Sequence, residues 1–182
     1  MLYVISAPSG AGKTTIIREL FKQIPGLKFS VSATTRKKRH DEIHGKDYYF
    51  LTEEEFNRKI SGDEFAEWEE VHGNKYGTLK SEIEPYIEGN AKMILDVDVK
   101  GAFNIKKKYP SVVLIFIYAD EQELIGRLKK RNTESEDEIT RRIMRIREEN
   151  VYLNKFDYII ENNSENGLED AIENIKKIIL NN

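Results

Sequence analysis

Residues 6–15, Ser-Ala-Pro-Ser-Gly-Ala-Gly-Lys-Thr-Thr, gather two glycines, a lysine and several hydroxyls into one short stretch. Such a set is suited to holding the phosphates of a nucleotide. Gly10 and Gly12 permit backbone conformations that a side chain forbids, so successive N–H groups can turn toward an anion. Lys13 adds a point charge for the β- and γ-phosphates, and the Thr14 hydroxyl is a ligand for Mg²⁺. Ala7, Pro8, Ser9, Ala11 and Thr15 complete the loop. Its first position is Ala7, where the pattern G-x-x-x-x-G-K-[ST] has glycine. The competing reading is an ordinary strand–helix turn with a chance Gly-Lys-Thr. The flanks speak against it: an apolar run from Leu2 to Ile5 leads in, and a helical pattern from Thr14 to Phe21 leads out. That helix would point its positive end at the bound anion.

Three other sets of residues could share in nucleotide chemistry. Asp96 closes the apolar run Met93-Ile94-Leu95, as a carboxylate at a strand end that holds Mg²⁺ or its water would do. The bland alternative is a helix cap, since Asp98 also precedes a helical stretch. Arg36, Arg39, Tyr48 and Tyr76 suit a phosphate, arginine with a planar fork of donors and tyrosine with a neutral one. Charge alone does not separate that clamp from a solvated basic run or a nucleic-acid patch. Asp41 and Glu42 follow directly and the net charge is −3, which argues against nucleic acid. Arg127, Arg131, Arg141 and Arg142 form a basic set that could close over a transferring phosphoryl group. A solvated helix face is the commoner meaning of that spacing. His40, His44 and His72 have no metal-binding spacing with a credible fourth ligand.

The elements that must position these residues follow from hydrophobic period and caps. The helix begun at Thr14 is expected to end at Ile24, before Pro25-Gly26. Residues 27–32 read as a strand, residues 33–47 as a polar basic stretch, and Tyr48–Leu51 as a short strand. Thr52 and Glu55 make a capping box for a helix over 53–61. Residues 65–71 alternate as a strand with one covered face, and 72–77 read as a turn. A helix to about residue 88 follows, with Pro85 marking a break. The continuously apolar strands 93–97 and 112–118, joined by a helix over 99–108, have the character of a parallel sheet covered on both faces. Asp120 would cap a helix interrupted at 131–133. Ser135 and Glu138 would open another, running to about 153. Strand 156–160 and helix 167–180 close the chain. Together these give a parallel α/β core with an inserted, more polar module between residues 33 and 80.

Composition bounds the reading. A chain of 182 residues can bury an ordinary core. Charged residues make up 34% and the mean hydropathy is −0.60, as expected of a soluble protein. No cysteine is present, which excludes disulfides and thiolate chemistry and fits a reducing cytoplasm. The longest apolar run, 112–119, is far short of a membrane span. No leader is recognisable, and neither nucleic acid nor membrane is expected as a partner.

With these motifs in hand, the sequence resembles the guanylate kinases. The likeness rests on 6–15, Ser30-Val31-Ser32-Ala33-Thr34-Thr35-Arg36, Gly45-Lys46-Asp47-Tyr48-Tyr49-Phe50, Phe65-Ala66-Glu67-Trp68, Gly73-Asn74-Lys75-Tyr76-Gly77-Thr78 and Ile94-Leu95-Asp96-Val97-Asp98, in order along the chain. It implies an α/β fold: a P-loop NTPase-like parallel sheet core with helices on both faces, an inserted mixed α+β GMP-binding module and a helical lid. Core segments would be 1–31, 82–124 and 144–182, the module 32–81 and the lid 125–143. The implied activity is transfer of the ATP γ-phosphoryl to GMP, with Mg²⁺, and with dGMP left open as an acceptor. Ser32, Glu67 and Thr78 would read guanine, a carboxylate accepting from N1–H and the 2-amino group and hydroxyls donating to O6. Adenine offers neither, and a buried polar site of this kind rejects the wrong base by ~10⁴-fold. Arg36, Arg39, Tyr48 and Tyr76 would clamp the GMP phosphate, with Glu42 supporting the arginines and Asp98 lying near the base. Arg127, Arg131 and Arg142 would be lid arginines, and Asn162 would lie near adenine. Lys100 and Asn132 depart from the family's usual glutamine and glycine. Two alternatives are a non-catalytic guanylate-kinase-like binding module, which would have lost the phosphate loop, and a kinase for another nucleoside monophosphate.

Overall fold

The structure, a computed structural model, describes all residues except His72, Glu88, Asn90, 132–135 and 164–165, with the side chains of 131 and 136–138 also left aside. Strand β1 (Leu2–Ser6) leads through the glycine loop into α1 (Lys13–Gln23), which ends where Ile24 turns extended before Pro25. Four strands and one helix follow: β2 (Lys28–Phe29), β3 (Ala33–Thr34), β4 (Tyr49–Phe50), α2 (Glu53–Ser61) and β5 (Phe65–Val71). Next come β6 (Asn74–Leu79), α3 (Lys80–Ile83), a 3₁₀ turn over Glu84–Tyr86, β7 (Met93–Asp96) and α4 (Val99–Lys108). The chain closes with β8 (Val113–Tyr118), α5 (Glu121–Arg131), α6 (Glu136–Asn150), a 3₁₀ turn over Leu153–Lys155, β9 (Tyr158–Glu161) and α7 (Gly167–Asn181). One sheet has the order β2-β7-β1-β8-β9 and the other β4-β3-β6-β5. No helix among the described residues is long and apolar enough to cross a membrane.

The chain divides into two compact units, Met1–Tyr3 with Leu27–Val112, and Val4–Gly26 with Val113–Asn182. In the first, β2 pairs in parallel with β7. The second sheet, wholly within this unit, is mixed: β3 runs parallel to β4 and antiparallel to β6, and β5 is antiparallel to β6. Its small core is Ala33, Phe56, Phe65 and Leu79. The Phe56 and Phe65 rings stack at 4.4 Å, which docks α2 on the sheet. The Thr52–Glu55 capping box starts α2 as expected, each residue's side chain taking the other's backbone N–H. In the second unit β8 pairs in parallel with β9, and its residues Leu114–Ile117 are buried. Such continuous burial is what a strand covered on both faces requires.

Two stretches differ from the sequence expectation. Pairing with β7 stops at Ser30, whose N–H reaches Ile94 O, and the chain joins the second sheet at Ala33. The strand expected over 27–32 is therefore a change of sheet, and the first residues of the polar stretch form the buried strand β3. Likewise 74–77 lies in β6 rather than in the turn expected over 72–77. Polar side chains hid both strands, because one face of this sheet carries polar groups inward: Thr34, Glu67 and Thr78 are all buried. The expected capping box at Ser135 lies outside the described residues.

Candidate active site

In the unit that holds the glycine loop, Gly10 and Gly12 have φ of +90° and +88°, values that L side chains rarely adopt. Ala11 donates its N–H to Pro8 O at 3.1 Å, tightening the turn. Asn162, only 3% exposed, donates its side-chain amide to Ala11 O at 2.9 Å. In a planar trans peptide the carbonyl and the following N–H point opposite ways, so this bond aims the Gly12 N–H away from Asn162. A Cβ on Gly12 would lie 2.7 Å from the Asn162 amide nitrogen, so no other residue fits there without displacing the pin. Arg127 bonds Asn162 O at 2.8 Å and reaches Gly10 O at 3.5 Å, which makes it part of the loop's support. Arg142 donates to Ser9 Oγ. Lys13 opens α1, Thr14 beside it is exposed and Thr15 is half-buried. Ala7 is half-buried and Pro8 buried at the start of the loop. Arg131 ends α5.

The other unit brings together Glu67, Thr78 and Asp98. Thr78 donates its hydroxyl to Glu67 Oε1 at 2.7 Å, with both residues buried. Burial, helped by the nearby Asp98 carboxylate, pushes the Glu67 carboxyl up to about 7 against the pull of the Thr78 bond. Asp98 accepts the Gly101 N–H at 2.8 Å and so caps α4, while Asp96 closes β7 half-buried. Of that acidic pair, Asp96 ends the strand and Asp98 is the helix cap.

Arg36 and Glu42 form a bidentate pair, 2.7 and 3.0 Å, and the Arg39 N–H adds a bond to Glu42 at 2.8 Å. These bonds, Arg36 first, hold the Glu42 carboxyl well below its ordinary range, at about 2. The Arg36 guanidinium lies 5.4 Å from the Tyr48 ring centroid, and Tyr48 meets Tyr76 edge-on at 6.1 Å. The Arg39 side chain is exposed.

Sequence reasoning overlooked two supports. Glu82 accepts the Tyr49 hydroxyl at 2.9 Å and the Val31 N–H at 3.3 Å, while Tyr49 N donates to Ser32 O at 2.9 Å, so Ser32 is held from both sides. The other is Gly101, third residue of α4, which lies against the Glu67 carboxylate. A glycine in a helix's first turn is a local cost, and that was the available signal.

A family model described as guanylate kinase matches residues 1–182. A guanylate kinase of Thermotoga maritima is 46% identical over 182 residues, spanning 98% of this chain and 85% of the relative. One of Fusobacterium nucleatum is 45% identical over 181 residues, spanning 99% and 96%. The crystal structure of guanylate kinase from Anaplasma phagocytophilum superposes with a TM-score of 0.79 at 32% identity, covering 100% of this chain and 85% of that one. A match along the whole length, with relatives of this identity covering nearly all of the chain, leads to one conclusion: this chain belongs to the guanylate kinase family.

Proposed function

We propose that the loop of residues 7–15 holds ATP and that the Glu67–Thr78 recess, with Arg36, Arg39, Tyr48 and Tyr76, holds GMP. The reaction is transfer of the γ-phosphoryl group of ATP to the GMP phosphate, giving ADP and GDP. The buried Glu67 carboxylate carries the substrate assignment, because a buried acceptor of this kind calls for the N1–H and 2-amino donors of guanine. Ser32 serves O6, Thr78 spends its one hydroxyl proton on Glu67 and so reads the base by holding that carboxylate, and Asp98 lies beside the base. Glu42 keeps Arg36 aimed, so the clamp presents a preset guanidinium to the GMP phosphate. The contacts assigned are to base and phosphate, which makes dGMP the acceptor to test beside GMP.

No covalent intermediate is needed: phosphoryl transfer asks for alignment and charge. Lys13 supplies charge at the β- and γ-phosphates, and Arg127, Arg131 and Arg142 stabilise the transferring group. Asn162 holds the loop and lies near adenine. Mg²⁺, when bound, neutralises phosphate charge. Its protein share is the exposed Thr14 hydroxyl and, through water, Asp96. These are hard oxygens, and one or two suffice for an ion that keeps several waters and binds phosphate oxygens. In this reading 32–81 is the GMP module, 125–143 a lid that excludes water, and 1–31, 82–124 and 144–182 the core. The cysteine-free composition suits a cytoplasmic setting.

ADP release measured with GMP, dGMP, AMP, UMP, CMP and dTMP tests the reading. GMP is expected to exceed AMP by about 10³-fold or more in kcat/KM. Comparable rates with AMP would refute the assignment of Glu67 and Thr78.

A further inference from the structure

We infer that Gly101 is the residue that sets the position of the guanine-reading carboxylate, the missing Cβ at the head of α4 being the space into which Glu67 fits. A Cβ built on Gly101 would lie 2.9 Å from Glu67 Oε2 and 3.3 Å from both Glu67 Cδ and Asp98 Oδ1. The first distance is shorter than real Cβ contacts, so a side chain at 101 displaces the carboxylate. The backbone does not ask for glycine here: Gly101 lies outside the left-handed region, inside a regular helix. Alanine at such a position favours the helix. Folding preference and packing therefore pull in opposite directions, and the glycine is explained by what lies against it.

The displacement is cheap for the fold and costly for recognition. Glu67 Oε2 is the end of a flexible side chain and can move by rotation. Its other oxygen is fixed by Thr78 at 2.7 Å, so rotation breaks that bond or swings the carboxylate plane off the base. Glu67 is buried, with Thr78 beside it and the Asp98 and Glu69 carboxylates near enough to disfavour its charge. Gly101 thus acts through Glu67, as a positioning residue for base selection. The inference rests on the reading of Glu67 given above.

Three proteins test it: Gly101→Ala, Glu67→Gln and the double variant, assayed for KM with GMP, IMP and ATP and for melting temperature. IMP lacks the 2-amino group, so the ratio of GMP to IMP in kcat/KM reports the carboxylate directly. Gly101→Ala is expected to melt no lower than the parent, to raise the GMP KM about tenfold or more with the ATP KM within about twofold, and to narrow the GMP-to-IMP ratio. Adding Glu67→Gln to it should cost less than about threefold further in the GMP KM, because residues that act as one unit are not additive. If Glu67→Gln alone raises the GMP KM and Gly101→Ala does not, the inference is overturned while the reading of Glu67 stands. If Glu67→Gln alone leaves the GMP KM unchanged, that reading falls and takes the inference with it. A lowered melting temperature with GMP and ATP KM raised together would make Gly101 a purely structural glycine and would also overturn it.

Discussion

Glu67 is the side chain whose chemistry reaches furthest. Its carboxyl sits at about 7 because burial penalises the charge, with Asp98 adding to the effect. As a guanine acceptor it must be ionised, so GMP affinity should rise with pH through that value. The expected result is a GMP KM that falls several-fold between pH 6 and pH 8, with a much weaker trend for ATP. Glu67→Gln should leave a high, nearly flat GMP KM, and a parent profile that is also flat would refute the assignment. Stability runs the other way. A folded pKa raised above the unfolded 4.5 means that the fold binds the proton more tightly, a contribution present below pH 4.5 and lost as the pH rises through 7. The ionised carboxylate costs the unliganded fold on the order of 3 kcal/mol above that window. In the proposed function, GMP would offset that cost by giving the carboxylate donors.

At the scale of elements, local signals proved legible where one segment carried its own instructions. The Thr52–Glu55 box opened α2, Gly62 closed it, and the apolar runs of β7 and β8 stood out. Strands β3 and β6 were not legible, since Thr34, Tyr76 and Thr78 give one face of that sheet polar side chains in place of an apolar alternation. Contacts between distant segments were equally hidden: nothing in the string ties Asn162 to Ala11, 151 positions away. That tie holds the loop between β1 and α1. Asn162→Ala would leave Ala11 O buried without its donor, a loss worth about 1–3 kcal/mol. We expect it to raise the ATP KM by roughly 5- to 100-fold at unchanged GMP KM, and Asn162→Asp, which has no amide to donate, to fare no better. Fluorescent ATP-analogue titration would check this. Wild-type ATP affinity in both variants would remove the loop from Asn162's charge.

At the scale of the molecule, the proposed substrates divide between the two compact units. The glycine loop, Asn162, Arg127 and Arg142 belong to Val4–Gly26 with Val113–Asn182, and Glu67, Thr78, Asp98 and the Arg36–Glu42 pair to the other unit. A ligand that binds only the native form slows the opening it opposes, by about 100-fold at a hundred times its dissociation constant. Amides that exchange through local opening feel only the ligand near them, whereas those that need global unfolding feel either one. Hydrogen exchange with one substrate at a time should therefore separate the two sites. GMP alone is expected to protect the fast-exchanging amides of 31–50 and 65–79 and to leave 7–15 unchanged. A non-hydrolysable ATP analogue should do the reverse, protecting 7–15 and 162. With both bound, protection in 125–143 beyond what either ligand gives alone would mark the lid. GMP protecting the glycine loop instead would mean that this loop is not the donor site, and the division of substrates proposed here would have to be reversed.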